Sequence, residues 1–426
     1  MWLTCYGGSV TDRPRAVIIG AGFGGLECAK RLAGWACDVT VVDQHNYHLF
    51  TPLLYQVASS LLNPSNIAQP VRTIFRGRGN VRFRHAAVTG VDFERREVRT
   101  MAGETIHYDY LVLAAGSTTN FFGNDQIEAR ALGLKDLGEA LELRNHILRC
   151  LERAASLDAK EAEPWLTFVV AGGGPTGVEY AGALSELTGH IVPREYPELA
   201  TRRIRIILVE GDQNVLPPFP PALQRAAREE LARKGVEVHT GVLVKGFEDD
   251  AIRLSNGETL RAKSLVWAAG VKPNGLAAAI DVPRSPRGRI EVDGGLRIKG
   301  RKREFAIGDI ASFQQGGREV PMLSAPAMQE GRVAAANIIA SIEGRRLRRF
   351  RYLDKGSMAT IGKGTAVAQI GKLHLSGLPG WFAWLAVHLY YIIGFRNRLL
   401  VLAEWAWNYV GSDRPVRIIA RAAGEE

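Results

Sequence analysis

The sequence predicts an α/β architecture: two similar parallel-sheet units in series, followed by an apolar helical tail. Three observations predict it. Two glycine-rich stretches, "RAVIIGAGFGGLECAKRLA" (15–33) and "LTFVVAGGGPTGVEYAGAL" (166–184), each join an apolar strand to a helix. Each is followed by a second apolar strand closing on an acid, Asp43 or Glu210, and later by a buried strand ending in Ala-Ala-Gly. Near the end, "GWFAWLAVHLYYIIGFRNRLLVLAEWAWNYV" (380–410) is almost entirely apolar and holds four of the eight tryptophans.

With 426 residues the chain is long enough for two or three domains with full cores. Apolar content of 46% and charged content of 23% belong to a globular protein rather than a disordered one. Lys and Arg outnumber Asp and Glu by 54 to 44, an excess that favours anionic partners: nucleic acid, anionic lipid or phosphate-bearing cofactors. Cys5, Cys28, Cys37 and Cys150 form no CxxC pair, which argues against a disulfide framework or zinc site and fits a reducing compartment. His45, His48 and His388 share no ligand spacing, so no metal is expected. The N-terminus lacks a basic head followed by a long apolar run, so no signal peptide is expected and any membrane is met from the cytosolic face.

In the first glycine stretch, Gly20 permits a tight turn, Gly22 lets backbone approach a pyrophosphate, and Gly25 lets helix and strand pack closely. The following helix aims its free N–H groups at the phosphates. Asp43 closes the next strand 23 residues after Gly20, where a ribose hydroxyl is held. A lone glycine motif is weak; set between two strands with an acid at this distance, it is strong.

Gly172, Gly174 and Gly177 repeat the arrangement, with Glu210 as the acid. The spacing to Glu210 is 38 residues, and the insert "TGHIVPREYPELATRR" (188–203) accounts for the excess as a lengthened helix and loop. No Arg or Lys follows Glu210 to meet a 2′-phosphate, which favours NADH over NADPH. The strands "YDYLVLAAGS" and "SLVWAAGVKPN" end at Gly116 and Gly270, and "EFAIGDIASF" ends a short strand at Asp309, an acid able to hold a ribityl or pyrophosphate group.

This layout resembles the flavoproteins with two dinucleotide-binding domains, in which the first unit holds FAD and the second NAD(P)H. The chemistry implied is transfer of a hydride from nicotinamide to flavin. The acceptor decides the function. Disulfide reductases of this architecture carry a cysteine pair shortly after the first acid, and "QHNYHLFTPLLYQVASS" (44–60) has none. Sulfide:quinone oxidoreductases need later cysteines, and none follows Cys150.

"HLFTPLLYQVA" (48–58), whose Pro52 and Leu53 would set apolar contacts against a flavin ring, closely resembles type II NADH dehydrogenases, the single-subunit NADH:quinone oxidoreductases of one membrane leaflet. The stretch from Tyr352 to Trp407 resembles that family's C-terminal region. The resemblance implies noncovalent FAD, NADH as substrate, a membrane quinone as acceptor, and no proton pumping. One departure stands out. Where the family has Ala-Gln-x-Ala-x-Gln, this chain reads "LSAPAMQEG" (323–331): Ala327, Gln329 and Glu330 fit, but Ala325 replaces the first glutamine. The family pattern places Ala327 beside flavin and Gln329 and Glu330 near the quinone. An acid at the position of Glu179, just after the second loop, is implicated in flavin–quinone chemistry; the plainer reading is a first-turn glutamate steadied by the helix dipole.

The densest basic run, "RRLRRFRYL" (345–353), lacks the aromatic platform of a nucleic-acid arm, and its place before the tail favours anionic headgroups. No nucleic-acid partner is expected. The domains expected are FAD-binding at 13–120 and 290–345, NADH-binding at 121–289, and a membrane-anchoring region at 346–426. Pro379 to Phe395 gives 17 residues of helix, about 25 Å at about 1.5 Å per residue, short of a hydrocarbon core of about 30 Å. Arg396 and Arg398 are expected to interrupt it, and tryptophans near the ends suit a monotopic segment on the cytoplasmic face of the inner (cell) membrane. A buried core hairpin or a dimer interface is the competing use of the same apolar surface, with a marginal transmembrane helix the lesser rival; a homodimer is one assembly that this surface would allow. The rival functions are a soluble FAD-dependent NADH reductase of a protein acceptor, which needs no apolar tail, and an NADH-binding sensor that binds nucleic acid in a salt-dependent way.

Overall fold

The computed structural model describes residues 13–411 and 416–419; the N-terminal residues read for a signal peptide, with Cys5, lie outside the described residues. The chain divides into two compact units. Among the described residues, one comprises those up to His48, Gln69–Thr118 and Lys272–Asp354; the other comprises Leu49–Ala68, Thr119–Val271 and those from Lys355 on.

The first unit is built on a five-stranded parallel sheet in the order Glu304–Ala306, Tyr110–Leu113, Arg15–Ile19, Asp38–Asp43, Val81–His85. Its central strands are buried on both faces, which is why they read as continuous apolar runs rather than alternating ones. The helix Phe23–Leu32 packs along the helix Ser324–Ile342, so residues some three hundred positions apart form one layer over the sheet. An antiparallel meander, Val88–Asp92, Glu97–Thr100 and Thr105–His107, completes this unit, and the short helix Leu276–Ala279 packs against it.

The second unit repeats the plan. Its parallel sheet runs Leu132–Gly133, Ser264–Trp267, Thr167–Ala171, Arg205–Glu210, Val236–Thr240, again with a three-stranded meander, Val244–Glu248, Ala251–Leu254 and Thr259–Arg261. The insert before Glu210 is a lengthened helix, Pro175–Glu195, followed by the single turn Pro197–Leu199.

The compact units divide the chain at different places from the sequence boundaries. Residues 49–68 cluster with the second unit because the helix Leu54–Ala58 packs on the helices Leu137–Ala155 and Pro175–Glu195. Residues 272–289 cluster with the first, and so does the arginine run up to Asp354. That run is an extended strap, tied down by Asn337, whose Oδ1 accepts from the Arg348 amide at 2.7 Å, and by Phe350 against Phe313. The tail is not a separate body: its three-stranded sheet, Ser357–Thr360, Ala366–Ile370 and Leu373–Ser376, packs on the helix Pro175–Glu195.

Two helices follow, Gly377–Tyr391 and Phe395–Gly411. The break falls at Ile392–Gly394, where Gly394 is left-handed at φ +88°, and not at the arginines. Arg398 instead closes the first helix: its Nε and guanidinium donate to the Ile392 and Tyr390 carbonyls at 2.8 Å. Each helix carries two apolar stripes. Trp381, Trp384 and His388, with Val401 and Trp405, are buried, while Leu378, Phe382, Tyr390, Phe395, Leu399, Leu402 and Trp407 are exposed. Among the described residues no helix is long and apolar enough to cross a membrane.

Candidate active site

The two glycine loops have the same geometry. Gly20 and Gly172 sit at φ +106° and +108°, and their amides donate to Val42 and Val209 carbonyls at 2.8 Å. A Cβ at Gly20 would strike the Ala114 carbonyl, one at Gly172 the Ala268 carbonyl, and one at Gly25 or Gly177 the carbonyl of its own loop's first glycine. No other residue type fits these four positions without moving backbone. At Gly22 and Gly174 nothing lies within 4 Å of the missing Cβ. Each of these glycines is the N-cap of its helix and offers no side chain to bond the first-turn amides. An anionic pyrophosphate fits such a cradle.

The acids tie these loops from below. Asp43 accepts from the Ala21 amide at 2.6 Å and the His45 amide at 2.7 Å; Glu210 accepts from the Gly173 amide and, at 2.8 Å, from that of Asp212. A carboxylate has about four lone-pair sites, so two stay available for ribose hydroxyls. Gly116 is left-handed at φ +69° with open space beside it, and Gly270 turns next to the Phe122 ring.

Also in the first unit, Ser117 donates to Asp309 at 2.5 Å, and Glu330 accepts from the Gly308 amide at 2.5 Å. Ala327 abuts Gly308, and its carbonyl lies against Gly24. Gly20, Gly22, Gly25, Asp43, Gly116, Asp309, Ala327 and Glu330 thus all belong to one unit. Burial pushes the Glu330 carboxyl up to about 8, against the pull of the Gly308 amide and Arg289. Gln329 is spent on backbone: its Nε2 donates to the Leu353 carbonyl at 2.9 Å and its Oε1 accepts from the Leu353 amide at 3.0 Å. Pro52 and Leu53 fall in the other unit, in the turn Thr51–Leu53.

Glu179 is not a first-turn residue. Counted from Pro175 it is the fifth of its helix, beyond the strongest part of the dipole, and it is 8% exposed. Burial wins, lifting its carboxyl to about 8; the Thr360 amide, donating to Oε1 at 3.3 Å, opposes the rise. The Trp384 N–H is buried without a hydrogen-bond partner. Thr360 and Trp384 line a pocket in the second unit, together with Tyr55, Gln56, Trp381 and Trp405. Trp405 Nε1 donates to Gln56 Oε1 at 2.9 Å, and Gln56 Nε2 donates to the Tyr55 hydroxyl at 2.7 Å. Glu186, His190 and Lys363 form a polar part of the wall, where Glu186 holds Lys234 at 2.7 Å.

Sequence reasoning placed three of these tryptophans at a membrane interface, and the structure turns Trp381, Trp384 and Trp405 inward. Their spacing was the available signal: Trp381, Trp384 and His388 at i, i+3 and i+7 mark one helix face. Cys28, Cys37 and Cys150 are buried free thiols, and burial pushes the pKa of each up.

Comparison with known proteins agrees with this geometry. Residues 14–331 match the family Pyridine nucleotide-disulphide oxidoreductase, and residues 355–412 match the NDH2 C-terminal domain. The chain is 38% identical to type II NADH:quinone oxidoreductase NdhA of Mycobacterium tuberculosis, over 95% of this chain and 89% of that one. It is 36% identical to Ndh of the same organism, over 94% and 89%. An NDH2 structure from Plasmodium falciparum in complex with NADH shares the fold, with a TM-score of 0.88 at 21% identity over 95% of this chain and 99% of that one. The sulfide:quinone oxidoreductase of Aquifex aeolicus shares it more loosely, with a TM-score of 0.71 at 19% identity over 94% and 96%. Two glycine loops of one geometry, a tail of the NDH2 type and full-length likeness to the mycobacterial enzymes converge: the chain belongs to the type II NADH:quinone oxidoreductases.

Proposed function

We propose that this chain oxidises NADH and reduces a membrane quinone by way of FAD, without carrying protons across the bilayer. The observation that carries the reading is the duplicated loop: one chain holds two glycine loops of one geometry, each tied to an acid, which supports a pyrophosphate and a ribose at each. Gly20, Gly22, Gly25, Asp43, Gly116, Asp309 and Ala327 hold the resident cofactor. Gly172, Gly174, Gly177, Glu210 and Gly270 hold the exchanging one. FAD supplies a carrier that takes two electrons from NADH and releases them to the quinone.

The chain's own part is orientation and proton supply. Glu210 orients the ribose hydroxyls of NADH and repels a 2′-phosphate. Glu330 holds the Gly308 amide and so fixes the turn that presents Asp309. Gln329 anchors the strap at Leu353. The quinone occupies the tryptophan-lined cavity. There Glu179, neutral at pH 7, carries its proton on Oε2, because Oε1 accepts from Thr360. Reduction of a quinone takes up protons, and a buried carboxylic acid with a pKa near working pH is suited to give one.

The outward stripe of the tail helices supports a peripheral seat in one leaflet, on the cytoplasmic face of the inner membrane. The exposed arginines of the strap support contact with anionic lipid. The assembly proposed is a homodimer. A steady-state assay tests the reaction: FAD-loaded protein in liposomes should reduce a long-tailed quinone with NADH far faster than with NADPH. Failure with every quinone, alongside brisk reduction of a soluble protein acceptor, would transfer the chain to the rival reading. A monomer mass by light scattering in mild detergent would remove the dimer.

A further inference from the structure

The middle residue of each glycine loop is held through both its amide and its carbonyl. In the second unit the Gly173 amide donates to Glu210, and its carbonyl accepts from the Leu216 amide at 2.7 Å. In the first unit the matching Ala21 amide donates to Asp43, and its carbonyl is bonded to His48 Nδ1 at 2.9 Å. Both carbonyl partners come from the segment just after the acid-ending strand. We infer that His48 is a positioning residue for the first loop, and that its imidazole does with a side chain what the second loop does with backbone.

The chemistry of the two clasps differs. Leu216 donates from a left-handed conformation, φ +53°, which few non-glycine residues adopt. It is held there by full burial and by Gln224, whose Nε2 donates to the Leu216 and Pro217 carbonyls at 3.3 and 3.2 Å. In the first unit a side chain replaces that reversed turn. A carbonyl can only accept, so Nδ1 carries the proton, and the ring, neutral because burial pushes its pKa down to about 4, has Nε2 unprotonated. His48 is 2% exposed and meets the Phe23 ring edge-on at 5.1 Å. Phe23 is the first residue of the helix that opens on this cradle. One imidazole therefore fixes both the loop peptide and the first helical turn.

This inference rests on the reading that the first loop takes FAD. Without the clasp the buried Ala21 carbonyl loses its partner and the loop is no longer set for the pyrophosphate, which weakens FAD binding by about tenfold. The test is FAD affinity, measured by fluorescence quenching on the full chain stripped of FAD and then titrated with it. His48→Asn places an amide N–H where Nδ1–H stood, His48→Gln places it farther out, and His48→Phe keeps a ring without a donor. The expected order is wild type and His48→Asn tight, His48→Gln and His48→Phe about tenfold weaker. The KM for NADH in FAD-saturated protein should be the same for all, because the second loop is untouched. Equal affinity of the Asn and Gln variants would overturn the proposal even if the Phe variant failed to fold. A wild-type chain that bound no FAD would instead sink the functional reading beneath it.

Discussion

Glu179 gains its chemistry from residues far along the chain. Thr360, which donates to it, stands 181 positions away, and Trp384 lies farther still. Its helix position suggested a dipole-stabilised carboxylate, whereas packing makes it a neutral acid. An acid that must hold a proton to act loses its effect as pH rises through its pKa. Quinone reduction should therefore fall off above about pH 8. Glu179→Gln should lower kcat by about 100-fold or more, abolish that alkaline limb and leave FAD bound; steady-state rates across pH 6 to 10 check all three. An unchanged profile would return Glu179 to packing. The residues legible in sequence were those whose geometry is set by local spacing: Gly20, Gly22, Gly25 and their second-loop counterparts, with Asp43 and Glu210. Gln329 was legible as a position in a motif, but not its engagement with Leu353.

At the scale of elements, strands and loops could be read because their periodicity is local, and the tail helices only in part. The run from Pro379 was read to Phe395 as one helix ended by charge. Gly394 ends it earlier, and Arg398 is recruited as a cap because a guanidinium suits unpaired carbonyls at a helix C-terminus. The two-stripe design changes how membrane seating should be tested. Cutting the chain near Gly377 would remove Trp384 and Trp405, and with them one wall of the cavity and the bond to Gln56. Substituting the outward stripe avoids this. Phe382 and Leu402 are 62% and 48% exposed, and the one ring contact of Phe382 is edge-on to Trp381 at 5.0 Å. Phe382→Glu with Leu402→Glu should reduce liposome binding at least tenfold, as measured by flotation, with the melting temperature within a few degrees of wild type. NADH oxidation with a soluble artificial acceptor should persist. Full liposome binding by the folded double variant would place the membrane face elsewhere.

Over the whole molecule, buried titratable groups set a pH window of stability. Burial lowers His48, His146 and His388 from 6.5 to about 4. Between those values the unfolded chain binds protons that the native imidazoles refuse, so these groups make stability rise with pH up to about 6.5. Glu179 and Glu330 are raised from 4.5 to about 8. Between those values the native carboxyls keep protons that the unfolded chain has lost, and stability falls as pH rises. Above about pH 6.5 only the carboxyls still act, at roughly 1 kcal/mol per pH unit each. The melting temperature should thus peak near pH 6.5 and decline towards pH 8, and Glu330→Gln should remove about half of the decline. A melting temperature still rising from pH 6.5 to 8 would contradict the burial of these acids. The order of the two dinucleotide units was plain in the sequence. The reassignment of residues 49–68 to the second unit was not, because packing on the helix Leu137–Ala155 leaves no local signature.

Three indoles around one cavity also make the chain its own optical probe. Trp381, Trp384 and Trp405 are three of eight tryptophans, and their emission comes from a site screened from water. Quinones quench indole emission on contact, whereas a saturated lipid tail does not. Entry of the oxidised acceptor should dim a fixed share of the intrinsic fluorescence, and that signal follows occupancy of the cavity without a label and before any turnover.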